Sequence, residues 1–535
     1  MSTIEDSLAA KNGPRLRNRS NFFIIIGVLV AVGAGVALRF ITKSDLWLDE
    51  ALSVNIARLP LSDIQPALRR DGAPPLFYVL LHFWIELFGT SDTAVRSLSG
   101  LLSVASLPLA YLAGLRLAGR DKGPDKSHDK SPDKSQGLAV AAVLVLVSSP
   151  YAIRYATEAR MYSLVIFLVF WGYLALRRAF DSPSVVRLAV VALVTALLLY
   201  TQYWSLYLVA VVGLGLIGSL IRKRGFSPTI IKVLIAIGAG CLLFIPWLPT
   251  FFYQLGHTGT PWGNPQVPWS SLADAVIAFA GSEVHATAFL LVIPLLLLPL
   301  LALFGKAAGS HQVDLDLHTR PEARWEIVTA FAVLILGLTV SWVGGTAFDG
   351  RYAAIVFPLV VLVVAFGLMV FADNRVRTGV LIVVVVLGFL TAVHNLGDNR
   401  TQAGESAELI RSESKPRDVV IYCPDQLGPA VSRLLDGLPV KQYTFPALDS
   451  PALINWVDYK NRIDTANIEK IAQTVVSRAG NKTIFLVNSS AYENVFGKCG
   501  ELGTAIAQDR DPETLAVPNS KVLEEAQGLT VFRSP

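Results

Sequence analysis

The chain has 535 residues, 53% of them hydrophobic and 16% charged, with a formal charge of +5 and a mean hydropathy of +0.51. Soluble globular chains carry roughly a quarter charged residues, and here the apolar residues fall in unbroken blocks near the roughly 20-residue length that spans a bilayer. That excludes a soluble protein, and the basic balance does not point to nucleic acid, because Lys and Arg lie mostly in short loops between apolar blocks, where they set orientation.

A polar N-terminal tail over 1–21, with Lys11, Arg15, Arg17 and Arg19, precedes an apolar run over 22–41. The run is too long for a cleaved signal and reads as a retained first span with a cytoplasmic N-terminus. Further spans are expected near 94–118, 137–153, 161–178, 185–202, 204–221, 230–249, 285–304, 326–343, 353–372 and 376–395, about eleven in all. This placement puts the densest basic clusters on one, cytoplasmic, side: Lys122/Lys126/Lys130/Lys134, Arg177/Arg178/Arg187, Arg222/Lys223/Arg224/Lys232, Lys306/Arg320/Arg324 and Arg375/Arg377. The opposite loops hold most of the acidic and aromatic residues.

The first outer loop, 42–93, is long. Its segment 73–89, APPLFYVLLHFWIELFG, is apolar but short and opens on Pro74-Pro75. Counting it as a crossing would invert every later loop, so it reads as a re-entrant or juxtamembrane helix. The stretch before it suits a helix lying in the interface. Residues 121–136 carry a PDKS/HDKS/PDKS repeat too polar to fold, and 250–284 form an outer loop rich in Pro and Trp. From 396 to 535 the composition becomes that of a soluble domain. VVIYC, KTIFLVN and LTVFR read as strands and EKIAQTVVSRA as a helix, which predicts a small extracytoplasmic α/β domain behind the membrane domain of 22–395. Cys241 reads as a core residue, and spacing leaves open whether Cys423 and Cys499 pair.

Charges avoid the middle of the spans, which argues against an ion-coupled transporter. They gather at the outer ends instead. Asp45-Leu-Trp-Leu-Asp49-Glu50 follows the first span, near Asp71-Gly72-Ala73-Pro74-Pro75. Arg154-Tyr155-Ala156-Thr157-Glu158-Ala159-Arg160-Met161-Tyr162 joins the third and fourth spans, and Asp349-Gly350-Arg351-Tyr352 opens the tenth. Tyr200-Thr201-Gln202-Tyr203-Trp204 forms an aromatic hinge. Read alone, each is equally a solvated cap, a salt-bridged turn, a snorkelling arginine or an interfacial belt. His82, His257 and His285 show no metal-ligand spacing.

Together these segments resemble the GT-C superfamily, closest to its protein O-mannosyltransferase and aminoarabinose-transferase branch (family 39-like). An acidic pair after the first span, a D-G-x-P-P-L-F-Y-like segment, F-G-T-S-x-x-A-V-R-S-L-S-G, E-A-R-M-Y and a late R-Y carry the resemblance over roughly 20–375. It implies a polytopic α-helical fold, a polyprenyl-phosphate-linked sugar donor and an acceptor hydroxyl outside the cytoplasm. By resemblance Asp49 is the catalytic acid, with Glu50 beside it. Glu158 and Arg160 belong to the second functional loop, Arg96 opens the second span, and Arg351 is the late arginine. Ala73 stands where relatives often have His before the Pro pair. The Ala/Val/Gly/Arg-rich style looks actinobacterial.

The expected reaction is inverting transfer in one displacement, with Asp49 as base and an oxocarbenium-like transition state that nearby carboxylates, Glu158 included, stabilise. The lipid-phosphate leaving group needs charge-assisted donors, and Arg160, Arg351, Arg154 and Arg96 are the candidates. Tyr162, Tyr352, His82 and Tyr203 are candidate substrate contacts. A monophosphate leaving group makes little demand for a divalent ion, so no metal or other cofactor is expected; Asp314-Leu315-Asp316 falls in a cytoplasmic loop. The expected location is the plasma membrane, the partners being donor, membrane lipid and an envelope glycan, lipid or protein acceptor. Mannose or arabinose is the guess for the sugar. The rival readings are a flippase of lipid-linked sugars and an anchored sensor.

Overall fold

The structure is a computed structural model that describes Phe22 and residues 25–534, apart from 120–131, 223–226, 261–262, 282–284, 310–311, 319–320, 490–491, 493–494 and 496. The N-terminal tail, Lys122, Lys126, Lys130, Lys223, Arg224, Trp262, Arg320 and most of the tetrapeptide repeat lie outside the described residues.

Helix α1 (Ile25–Leu38) leads into three helices of the first outer loop: α2 (Leu48–Ala57), α3 (Leu61–Asp71) and α4 (Leu76–Phe88). Next come α5 (Asp92–Ala118), α6 (Pro132–Ser148), α7 (Pro150–Ala156), α8 (Tyr162–Asp181), α9 (Val185–Leu199) and α10 (Ser205–Arg222). Helices α11 (Pro228–Leu242), α12 (Leu248–His257), α13 (Pro268–Ala280) and α14 (Ala286–Phe304) follow. A short hairpin, β1 (Gly305–Ala307) with β2 (Val313–Leu315), precedes α15 (Pro321–Val343), α16 (Phe357–Leu368) and α17 (Asn374–Gly397).

Seven helical segments among the described residues are long and apolar enough to cross a bilayer, or eight if the bent pair α6–α7 is one span. The chain is a polytopic membrane protein. Of the expected spans, those at α1, α9 and α16 are shorter than roughly 20 residues. Helix α16 is apolar all round and almost wholly buried, as a central helix must be. The outer loop expected over 250–284 is partly helical, because α13 lays Ala275 and Phe279 into the core. Cys241 is a free, half-buried thiol packed against the core.

The expected third span, 137–153, is broken. Helix α6 stops at Ser148 and α7 departs at 56°. Pro150 has no N–H for the helix to continue, and Ser149 caps α7 by accepting from Ala152 N at 3.2 Å. The carbonyls this break leaves open are taken by Arg39, which is fully buried. Its guanidinium donates to Leu146 O and Val147 O at 2.9 Å, to Gly35 O at 2.6 Å and to Ser103 Oγ at 2.9 Å. One side chain thus ties α1, α5 and the end of α6 together. Close packing helps: an added Cβ on Gly114 of α5 would stand 2.7 Å from Ala139 Cα of α6, the small-residue contact that membrane helices favour.

The tail forms a five-stranded sheet of order β4-β3-β5-β7-β6, with strands β3 (Val419–Cys423), β4 (Lys441–Thr444), β5 (Ile484–Asn488), β6 (Asp511–Ala516) and β7 (Gly528–Arg533). Strands β4 and β5 run parallel to β3, and β7 runs antiparallel to β5 and β6. Its helices are α18 (Ala403–Glu413), α19 (Gly428–Leu434), α20 (Tyr459–Asp464), α21 (Ile468–Ala479) and α22 (Lys498–Ile506). A Cys423–Cys499 disulfide ties β3 to α22. The tail is bound to α2, α3 and α12: Asn55 Nδ2 donates to Ala452 O at 2.8 Å, Trp456 N to Arg70 O at 3.0 Å, and Asp458 N to His257 O at 2.8 Å.

Arg39→Met is expected to lower stability by about 3 kcal/mol or more, since it strands several buried acceptors at once. Thermal unfolding in detergent measures this; an unchanged midpoint would remove the clasp from the account.

Candidate active site

Helix α2 begins with Leu48-Asp49-Glu50, acids in the first turn, where the helix dipole favours them. Consecutive helical residues point about 100° apart, so the two acids meet different surroundings. Glu50 turns inward and is fully buried. Arg96 donates to it twice, Nε to Oε1 at 2.7 Å and Nη2 to Oε2 at 2.6 Å. Ala159 N adds a bond at 2.9 Å, and Arg400 Nη1 stands 3.8 Å away. Burial pushes the Glu50 carboxyl up, but Arg96, Arg400 and the Ala159 amide together hold it below its ordinary value. Arg96 spends its remaining donors on Ser44 O at 2.7 Å and Asp45 O at 3.1 Å. Glu50, expected as a catalytic residue, and Arg96, expected at the donor phosphate, are thus paired with each other inside the protein.

Asp49 turns toward the opening. Its Oδ2 lies 2.6 Å from Arg351 Nη1 and 3.6 Å from Arg160 Nη2. These side chains keep 17%, 14% and 12% of their exposure, respectively. Arg160 also donates through Nη1 to Ser53 Oγ at 3.0 Å and to Tyr78 OH at 3.2 Å. Arg351 lies on a 3₁₀ turn, Gly350–Ile355, that Asp349 caps by accepting from Arg351 N at 3.0 Å. Asp349 Oδ2 also faces Arg351 Nε at 3.2 Å. The Arg351 guanidinium sits over the rings of Trp47, at 5.6 Å, and Tyr352, at 5.9 Å. Tyr151 OH supports the turn from below, donating to Gly350 O at 3.1 Å. Tyr162 is buried beside Arg351, Arg160 and Asp49. Acids and arginines from three distant stretches of chain thus converge as expected.

A second acid completes the group. Asp71 ends α3, where Gly72 turns the chain at φ 95°. Its carboxylate accepts from Tyr78 OH at 3.1 Å and from the Trp456 side chain. Burial lifts it to about 6, with Asp49 adding to the rise and Arg160 opposing it. Arg160 therefore stands between two acids, one met directly and one through Tyr78. The sequence reading treated Asp71 as context only; its place before Gly72 and the Pro pair was the available signal.

Four expected residues lie elsewhere. Glu158 is buried; its Oε2 accepts from Arg154 Nε at 3.3 Å, and burial raises its carboxyl despite Arg154 and Arg400. Arg154 reaches Glu524 of the tail at 2.5 Å. This pair bolts the tail to the α7–α8 turn rather than meeting Asp49. His82 bonds Ala57 O at 2.7 Å and faces Glu86 at 3.5 Å, closing α4 onto α2. Tyr203 donates to Gln254 and accepts from Trp247 Nε1 at 2.9 Å, bracing α12. Glu158, Arg154, His82 and Tyr203 thus contact neighbouring elements rather than Asp49.

No family model and no curated protein matches the chain. Solved structures do match. The bundle, the helices α2–α4 and the tail over them share their fold with these structures. They are structures of ArnT from Cupriavidus metallidurans. Its apo structure is 13% identical and covers 97% of this chain and 98% of that one, with a TM-score of 0.55. The structure bound to undecaprenyl phosphate is also 13% identical and covers 95% and 97%, with a TM-score of 0.52.

Arg96→Ala is expected to cost about 3–5 kcal/mol of stability, because it leaves Glu50 charged and buried. Per folded molecule, the donor KM should stay near wild type. A large rise in donor KM at unchanged stability would return Arg96 to the substrate site.

Proposed function

We propose that the chain transfers a sugar from a polyprenyl-phosphate donor to a hydroxyl of an extracytoplasmic acceptor, with inversion. The observation that carries this reading is Asp49 held between Arg351 and Arg160, at the junction of an apolar bundle and a polar tail. Glycosyl transfer from a lipid phosphate needs a proton acceptor beside two phosphate-binding cations at that junction.

Without donor, Asp49 is the counterion of both arginines. A lipid phosphate entering the site competes for their planar forks. Asp49 is then released from its partners, and its oxygens are left open to take a proton. The acceptor hydroxyl passes its proton to the Asp49 carboxylate as its oxygen bonds to the anomeric carbon. The bond from that carbon to the phosphate oxygen breaks on the opposite face, its electron pair leaving with the lipid phosphate. Asp71 and Tyr78 keep Arg160 aimed, and Trp47 and Tyr352 do the same for Arg351.

Two guanidinium groups supply the positive charge the leaving group needs, so the reading includes metal independence. An extracytoplasmic site is supported by the basic residues Arg177, Arg178, Arg187, Lys306, Arg375 and Arg377, which lie beyond the span ends opposite Asp49. The Arg116–Asp181 pair, at 2.6 Å, marks that far end of α5 and α8, while Arg96 and Tyr162 mark the near end. The disulfide in the tail fits the same side. The prenyl chain is placed in a groove beside α10, α11 and α14. The donor sugar, mannose or arabinose, and a glycan, lipid or protein acceptor in a bacterial envelope belong to the same proposal.

The test is turnover by purified protein given radiolabelled polyprenyl-phosphate mannose or arabinose and an envelope acceptor extract. Asp49→Asn is expected to lower kcat by roughly 10²–10⁴ with folding intact. Arg351→Lys should raise the donor KM about tenfold or more, since a point charge cannot replace the fork. Full turnover in Asp49→Asn defeats the assignment of the base, and lipid translocation without transfer would favour a flippase.

A further inference from the structure

One buried acid close to the base plays no part in the chemistry above. Glu525 lies in the tail, just before β7, and is fully buried. Its Oε2 accepts from Leu48 N at 3.1 Å, across 477 positions of sequence. Leu48 is the first residue of α2, and the side chain that would ordinarily cap this helix is Trp47, which provides no cap. The first N–H groups of a helix have no partner inside it. Here the partner comes from the far end of the chain.

The supplying segment is itself fixed. Glu525 N donates to Arg400 O at 2.9 Å, Gln402 N donates to Glu525 O at 3.1 Å, and Thr401 bridges to Glu525. Its neighbour Glu524 holds Arg154. Asp49 is the residue after Leu48, so the start of α2 decides how Asp49 meets Arg351 and Arg160.

We propose that Glu525 is a positioning residue for the reaction: it caps α2 from the tail and thereby holds Asp49 where the two arginines and the acceptor can reach it. This rests on the reading of Asp49 as base.

The charged and titratable groups facing Glu525 are Asp49 from α2, Glu524 from its own segment, and Tyr492 from the connection after β5. The nearby cations are committed elsewhere, Arg154 to Glu158 and Glu524, and Arg400 to Thr157 and Glu50. Burial, with Asp49 and Glu524 adding to it, pushes the Glu525 carboxyl up to about 8. A neutral carboxyl still accepts from Leu48 N. The folded value is raised above the ordinary one although the Leu48 amide and Thr401 favour the ionised form, so the stability this carboxyl brings is complete in acid and is lost as pH climbs from the ordinary carboxyl range to about 8. Ionisation there sets a second negative charge against Asp49 in a dry place, loosening the tail from α2.

Glu525→Gln keeps an acceptor oxygen and cannot ionise; Glu525→Ala removes the cap. In the sugar-transfer assay at pH 7, Glu525→Gln is expected within about threefold of wild-type kcat. Glu525→Ala should fall by roughly 30–100-fold, since small misplacements of reacting groups cost about that much, with donor KM changed less than about threefold. Between pH 7 and 9 wild type should lose about tenfold in rate as one group ionises, while Glu525→Gln holds its rate. Hydrogen exchange of peptides over 46–57 should quicken in Glu525→Ala and not in Glu525→Gln. Equal slowing in both variants, or wild-type kcat and exchange in Glu525→Ala, overturns the proposal. If Glu525→Ala does not fold, the pH profile and exchange of Glu525→Gln decide it. The exchange measurement needs no turnover, so it tests the cap even if the chain transfers no sugar.

Discussion

The outer end of this molecule is governed by the cost of taking charge out of water. An unpaired ion in a dry interior costs several kcal/mol, so each buried guanidinium there must find carboxylates or carbonyls in fixed geometry. Arg39, Arg96, Arg154 and Arg400 do so completely, and each thereby locks two or more stretches of chain together. Arg160 and Arg351 are the exceptions in kind. The carboxylate they share, Asp49, is on the open side, so the same requirement for a counter-charge is met there by a group that solvent can reach.

The acid pair shows how position alone separates two like side chains. Asp49 and Glu50 are adjacent on one helix, yet one faces the opening and the other the core. Glu50 with Arg96 is a structural pin that aligns α2 with α5, and Ala159 ties the α7–α8 turn to the same carboxylate. Rigidity on the buried side is what allows the exposed side to hold a defined geometry. Trp47, Tyr78 and Tyr352 extend that support by packing on or bonding to the arginines that Asp49 meets.

Much of this was legible in the sequence, and the reasons differ by element. Apolar blocks of spanning length located the bundle, and the strands VVIYC, KTIFLVN and LTVFR were visible because buried strands are continuous in Val, Ile, Leu and Phe. Strands β4 and β6 were missed, since KQYT is short and DPETLA lies exposed at an edge. The break at Ser149-Pro150 was read as continuous span because hydropathy does not register backbone geometry. Asp49, Arg160 and Arg351 were named from motif order. Which acids were pins and which were free was hidden, because that depends on partners far away in sequence. Asp71, Glu525, Arg39 and Arg400 were passed over for the same reason: none carries a local pattern that announces its contacts.

The tail's grip on α2 has a consequence for how the molecule comes into being. Ribosomes make the helix bearing Asp49 long before Glu525, and the helices of the bundle lie between the two in the chain. Until the tail has folded, the helix start lacks its distant partner, as the α7–α8 turn lacks Glu524. A partly made chain therefore carries an α2 whose start is still uncapped, and the order of synthesis delays the finished geometry around Asp49 until the tail has folded.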